Sequence, residues 1–241
     1  MPFTFSHPAI VLPLHAVARR WTSLSGLVMG SIAPDFEKFL TMKFSNEFSH
    51  SLAGVFLFSL PVALVLSFVY HLLVRNALIE NLPDFLRSRF YSYKNLEWIS
   101  YFRKNYLLVL SSILVGAFSH LFWDGLTHDG GYFRNAFLPE LNNTVVLAGV
   151  VLPVYLSLQV ISSVLGMLGI AYAVLRLPVA LVPKRVQHLL PYWLLVLLVT
   201  LALVVARVML YAPDRRFEVA LTVMLAFLLS LVLTPLLRKF A

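Results

Sequence analysis

Five stretches of the chain, at 51–74, 106–126, 146–176, 190–211 and 217–237, are apolar over the roughly 18–20 consecutive residues that an α-helix needs to cross a bilayer. Inside hydrocarbon the backbone N–H and C=O groups must be satisfied within their own segment, so stretches of this kind fold as helices. The sequence therefore predicts an all-α, polytopic membrane protein with about five transmembrane helices. Composition agrees, since 60% of the residues are hydrophobic and 12% charged, against roughly 45–50% and 25% in a soluble domain. The third stretch is too long for one upright crossing and is expected to tilt, to break near Pro153 or to run out of the bilayer. Residues 1–241 read as a single membrane domain, with a candidate metal-site half at 1–140 and three further helices at 141–241.

Two shorter apolar stretches, Pro8 to Ala18 and Leu24 to Ala33, precede these spans and are separated by Arg19-Arg20-Trp21-Thr22-Ser23. Neither can cross alone, and together they predict a re-entrant or interfacial helical hairpin packed on the other helices. Met1 to Ser6 has no basic residue, so a cleavable leader is not expected. Between the first two spans, 77–103 mixes aromatic and basic side chains in a composition suited to the headgroup layer.

Orientation follows from Lys and Arg, which are retained on the cytoplasmic side. Arg75, Arg87, Arg89, Lys94, Arg103 and Lys104 follow the first span, Arg176, Lys184 and Arg185 the third, and Arg238 and Lys239 the last. The opposite side carries Arg134, Arg215 and Arg216, plus Arg19, Arg20, Lys38 and Lys43 of the N-terminal region. Eleven against seven places the first group, and the C-terminus, in the cytoplasm. The formal charge of +8 fits such loops and anionic lipid headgroups, and nucleic acid is not an expected partner. With no cysteine, a disulfide, a thiolate metal site and a Cys nucleophile are all excluded, and any metal must be held by imidazole and carboxylate.

The second span closes as Ser119-His120-Leu121-Phe122-Trp123-Asp124-Gly125-Leu126-Thr127-His128-Asp129. At about 100° per residue, His120, Asp124 and His128 fall within about 80° of arc, so one helix presents three ligands to one place. Gly116, a turn earlier on that face, would admit another backbone. A carboxylate near the membrane core costs roughly 2.5–3.5 kcal/mol on insertion scales and needs compensation. A divalent cation would supply it; so would a hydrogen-bonded cluster that fixes helix packing, or emergence of the helix end into water. The topology brings further donors to that level: His50 just before the first span, Asp35 in Gly30-Ser31-Ile32-Ala33-Pro34-Asp35 where Pro34 is expected to end the hairpin, and His7 at its opening. These nitrogen and oxygen donors suit one or two ions, zinc first and manganese or iron next, with Asp35 or Asp124 as a bridge. Arg19, Arg20, Lys38 and Arg134 are candidates to hold a phosphate, and Glu37 and Asp129 to act as base or orienting carboxylate. His15 is a weaker candidate inside an apolar stretch, His71 reads as a packing residue and His188 as solvated.

The opening Met1-Pro2-Phe3-Thr4-Phe5-Ser6-His7-Pro8, the Ala33-Pro34-Asp35 and His50-Ser51 motifs, and the run from Ser119 to His128 resemble an uncharacterised bacterial family of integral membrane proteins of about this length. The resemblance covers roughly the first 140 residues. That family is similar to the YdjM-like inner-membrane proteins described as metal-dependent hydrolases, and more distantly its ligand order resembles that of zinc-dependent phospholipase C and related nucleases. Carried onto this chain, the resemblance implies His7, Asp35, His50, His120, Asp124 and His128 as metal ligands. There is no later His-x-x-x-Glu pair and no N-terminal Trp, so a three-zinc site is not implied, and His50 lacks the His-Arg-Gly lead-in of the YdjM-like proteins.

The expected function is a multi-pass hydrolase of a bacterial inner membrane. It would cleave a lipidic phosphoester with a metal-activated water at the extracytoplasmic face, its partners being membrane lipids. The alternative is a non-enzymatic transporter of an ion or proton, or a membrane scaffold, using the same His and Asp residues; a broken helix at the bilayer midplane would mark the transporter.

Overall fold

The structure is a computed structural model that describes residues 3–42, 47–128, 131–147, 149–183, 189–211 and 216–240. Asp129, with Lys43, Lys184, Arg185, His188 and Arg215, lies outside the described residues. Five helices are long and apolar enough to cross a membrane. Helices α1 (Pro8–Val17), α2 (Leu24–Ile32) and α3 (Phe36–Thr41) come first. The first span is α4 (Leu52–Glu80), which contains two π-helical stretches, Val55–Ser59 and Tyr70–Val74. A short helix α5 (Asp84–Phe90) leads to the second span α6 (Trp98–Thr127), and α7 (Tyr132–Phe137) follows. A two-stranded hairpin, β1 (Thr144–Leu147) and β2 (Val150–Pro153), precedes the last three spans α8 (Val154–Leu175), α9 (Leu189–Leu210) and α10 (Arg216–Phe240).

Two expectations are corrected. The third stretch breaks at Pro153, one of its expected outcomes, but the part before the break is not helical: residues 144–147 and 150–153 pair as antiparallel strands with Thr144 opposite Pro153, so the span begins only at Val154. β-Branched valines and a turn at Gly149, whose φ of +80° suits glycine, favour the strand pair over a helix. Pro34 ends the N-terminal hairpin as expected, since α2 stops at Ile32 and the unit that holds the hairpin breaks off after Asp35. The helix tightens into a 3-10 turn over Ala33–Asp35, which accommodates the missing proline donor, and the chain resumes as α3. The segment between the first two spans is shorter than 77–103, since α4 continues through Glu80 and α6 starts at Trp98.

The chain divides into two compact units. One comprises Met1–Asp35, Glu47–Leu64 and Asn105–Leu175, and holds α1, α2, the start of α4, most of α6, and α7, β1, β2 and α8. Here the N-terminal hairpin is built as the sequence predicts. Pro8 sits at the first position of α1, and the Ser23 side chain caps α2 by accepting from the Gly26 amide. Helix α2 lies directly on α6. A Cβ placed on Gly30 would come within 2.1 Å of the Ile113 carbonyl oxygen, and one on Gly26 within 2.8 Å of the Val109 carbonyl oxygen. Gly116 answers from α6, where a Cβ would lie 2.3 Å from the Leu27 carbonyl oxygen. These small residues let the two backbones meet, which is how helices associate where no hydrophobic difference from lipid drives them. The Ser23 amide also donates to Ser112 Oγ at 2.8 Å, which fixes the register.

The other unit comprises Phe36–Asn46, Val65–Lys104 and Arg176–Ala241. His71 stacks on Trp98 with ring centroids 4.1 Å apart, as its packing role predicts, and Arg75 donates to the carbonyls of Leu96 and Lys94. Glu80 accepts from Arg87 and Lys94, and Arg87 reaches the Pro183 carbonyl. Helices α9 and α10 pack together with Thr200 Oγ1 donating to Ser230 Oγ at 3.0 Å.

Candidate metal centre

Each donor of the candidate site is placed by a local device. The 3-10 turn Thr4–Ser6 leads into α1 and leaves His7 buried at the junction. Asp35 ends the 3-10 turn after α2 and is also buried. His50 sits in the turn that opens α4, where Ser51 caps the helix by accepting from the Gly54 amide and the absence of a side chain at Gly54 lets the chain fold back over it. His120 and Asp124 lie one turn apart on α6, and His128 follows where that helix ends.

The outward atom of three of these groups is tied down, which turns the other atom inward. His120 Nδ1 donates to the Ser31 carbonyl at 2.8 Å, leaving Nε2 as the inward lone pair. His50 Nδ1 meets Ser49 Oγ at 3.0 Å. Thr4 Oγ1 donates to Asp35 Oδ2 at 2.7 Å, and Asp35 Oδ1 faces His120 Nε2 at 3.8 Å. Ligand atoms of Asp35, His50, His120 and Asp124 all lie within 4.8 Å of one another.

Asp124 organises the cluster. Its Oδ2 is 3.2 Å from His50 Nε2 and 3.3 Å from His120 Nε2, and those two nitrogens are 3.2 Å apart. Its Oδ1 faces a different pair, His7 Nε2 at 3.5 Å and His128 Nδ1 at 3.4 Å. Ligand atoms bound to one tetrahedral zinc at about 2.0–2.1 Å sit about 3.3–3.4 Å apart, so Asp124 Oδ2, His50 Nε2 and His120 Nε2 have the spacing of ligands that share a cation, whereas His128 Nδ1 also donates to the Asp124 carbonyl at 3.2 Å. The donor set and its burial fit one or two divalent ions.

The same geometry leaves polar atoms in need of a partner. Neither His7 nitrogen nor Asp124 Oδ1 has a hydrogen-bond partner among the described residues, although all three are buried. Burial, reinforced by the neighbouring His120, lowers the His7 pKa to about 3. Burial also lowers that of His50, against the opposing hydrogen bond to Asp124. Both rings are therefore neutral near pH 7, the state in which imidazole binds metal. The His7 ring stacks on His120 with centroids 3.8 Å apart.

Of the six candidate ligands, Asp35, His50, His120 and Asp124 form one group, and His7 and His128 lie beside Asp124 Oδ1. The phosphate candidates do not all follow. Arg19 and Arg20 lie in the exposed 3-10 turn Arg19–Trp21 at the far end of α1 from His7, about 15 Å away at 1.5 Å per residue. Lys38 and Glu37 belong to α3 in the other unit, Lys38 buried there and Glu37 half-buried. Arg134 is buried in the same unit as the cluster, its guanidinium 4.0 Å from the centroid of the Tyr155 ring. It stands beside Phe133, whose ring covers Gly125, the residue after Asp124. His15 meets Thr22 within the hairpin. Thr4, Ser31, Ser49, Gly26 and Gly30 complete the site and were not singled out by the sequence reading; the Gly-x-x-x-Gly spacing on α2 was the available signal.

Fold and site together define a polytopic α-helical membrane protein in which an N-terminal hairpin closes a His and carboxylate cluster against the ends of two spanning helices. Within that class, the chain belongs to the family described as Domain of unknown function (DUF4184), which matches residues 1–238 and so includes the helices beyond residue 140. No curated protein and no solved structure matches the chain.

Proposed function

We propose that the protein is a metal-dependent hydrolase of a bacterial inner membrane that cleaves a lipidic phosphoester at the extracytoplasmic face. The observation that carries this reading is Asp124, with a different imidazole pair on each carboxylate oxygen. Asp35, His50, His120 and Asp124 would hold one cation, and Asp124 Oδ1 with His7, buried without a hydrogen-bond partner among the described residues, would contribute to a second, zinc by the donor chemistry and manganese or iron after it. Bound there, such ions would polarise a phosphoryl oxygen and make water acidic enough to react at neutral pH.

The chain's own groups supply the rest. Ser31, Ser49 and Thr4 orient His120, His50 and Asp35. Arg134 holds the phosphate charge. The excess of Lys and Arg in the loops on the opposite side supports the outward-facing site and the cytoplasmic C-terminus. A transporter would place its ligands at a break in a spanning helix. Helix α6 departs from helical geometry at Asn105, about four turns before His120, so His120 and Asp124 do not lie at a break in that span.

Metal analysis of the purified protein tests this reading. Two equivalents of a transition metal are expected in the wild type, about one in His7→Ala, and none in Asp124→Ala, with phosphate release from phospholipid or polyprenyl phosphate lost in step. Unchanged metal content in Asp124→Ala, or metal without any phosphate release, would rule the proposal out.

A further inference from the structure

Helix α8 carries a buried polar face that the ligand set does not use. Gln159 is 4% exposed, and its amide nitrogen has no hydrogen-bond partner among the described residues. A carboxamide donor is costly to bury in that state. The residues around it on the helix show where it lies. One turn earlier, Tyr155 carries the Arg134 guanidinium on its ring. On the next turn, Ser162 Oγ accepts from Trp123 Nε1 at 3.3 Å, beside Asp124, and Ser163 Oγ accepts from the Phe3 amide at 3.1 Å. Further along, a Cβ on Gly166 would lie 3.1 Å from the carbonyl oxygen of Ser6, the residue before His7. Residues 155, 159, 162 and 166 form one helical face, and that face rests on the two elements that bring His7 and Asp124 to the cluster.

Resting on the hydrolase reading, we infer that Gln159 is a substrate-positioning residue, its amide nitrogen donating to a non-bridging phosphate oxygen while Arg134 balances the charge. Helix α8 would then form the phosphate-recognising wall of the site, and the ligand-bearing elements the metal-holding wall. The class of ligand is a phosphate monoester or diester, and inorganic phosphate is its simplest probe. A donor kept buried without a partner among the described residues fits a group reserved for a ligand.

The test uses the full-length protein in detergent, loaded with zinc, and compares wild type with Gln159→Leu and Gln159→Glu. Metal content should be unchanged in both variants. Inorganic phosphate, titrated by calorimetry, should bind Gln159→Leu at least tenfold more weakly than wild type, and Gln159→Glu more weakly still because its carboxylate repels the anion. KM for the lipid phosphate should rise more than kcat falls. Gln159→Leu should also melt at or above the wild-type temperature, since it removes an unsatisfied amide. A packing residue would show the reverse: lower melting and unaltered phosphate affinity. Wild-type phosphate affinity in Gln159→Leu would overturn the inference and leave the hydrolase intact. Zinc-loaded wild type that binds no phosphate would overturn both.

Discussion

At the scale of single residues, His7 tests most directly how burial and chemistry are coupled here. The folded protein keeps its ring neutral down to about pH 3, whereas the unfolded chain protonates it near 6.5. Between those values the unfolded state binds more protons, so folding stability contributed by this group is complete above pH 6.5 and falls as the pH drops toward 3. The slope for one such group is about 1.4 kcal/mol per pH unit. Thermal unfolding of chelator-treated protein in detergent should therefore show a lower melting temperature at pH 5 than at pH 7.5. His7→Phe, which keeps a ring on His120, should show a smaller drop. Equal drops in both proteins would mean that His7 is not the buried neutral base described. His120, Asp124 and His128 were legible in the sequence because a regular helix converts spacing into a face. His7 was legible only through the expected hairpin, and the groups that aim these ligands were not. The Ser31 carbonyl has no sequence signature, and Thr4 and Ser49 are too common in type to stand out.

At the scale of elements, the contact between α2 and α6 sets the site. Gly30 precedes Ser31, whose carbonyl orients His120, and Gly116 is one turn before His120. Moving the helices apart therefore moves an orienting acceptor away from a ligand. Gly30→Val has no room against Ile113 and should destabilise the protein by about 1–3 kcal/mol, the usual range for overpacking. It should also weaken metal binding by about 10–100-fold, the range for loss of an outer partner of a ligand. Gly169→Val, which meets nothing within 4 Å at its Cβ position, is the matched control and should leave both unchanged. Zinc titration against a competing chelator, with melting curves, reads both quantities; wild-type zinc affinity in Gly30→Val would separate this contact from the site. The helices themselves were legible where length decided the matter. Residues 144–153 were not, because Thr-Val-Val-Leu-Ala-Gly-Val-Val-Leu-Pro is an apolar run joined without a polar boundary to α8, and apolar runs do not distinguish strand from helix by period. Arg75 and Glu80 likewise hid the last turns of α4, although Arg75 is buried and satisfied by backbone carbonyls.

At the scale of the whole molecule, the remaining question is which side of the membrane the cluster faces. The positive-inside argument assigns residues after the first, third and fifth spans to the cytoplasm, and one crossing, α6, separates Ser92 from Glu140 along the chain. Both positions are exposed, and the natural chain has no cysteine, so a single introduced thiol reports one location without background. In intact cells Glu140→Cys should react with a membrane-impermeant maleimide, and Ser92→Cys should react only after the membrane is opened. The reverse pattern would turn the site toward the cytoplasm. The candidate metal centre, whose donors lie within one unit, would survive that result. The substrate would not, because an inward-facing cluster meets the lipids and soluble phosphates of the cytoplasm. Sidedness thus decides the pool from which the substrate of the proposed hydrolase would come.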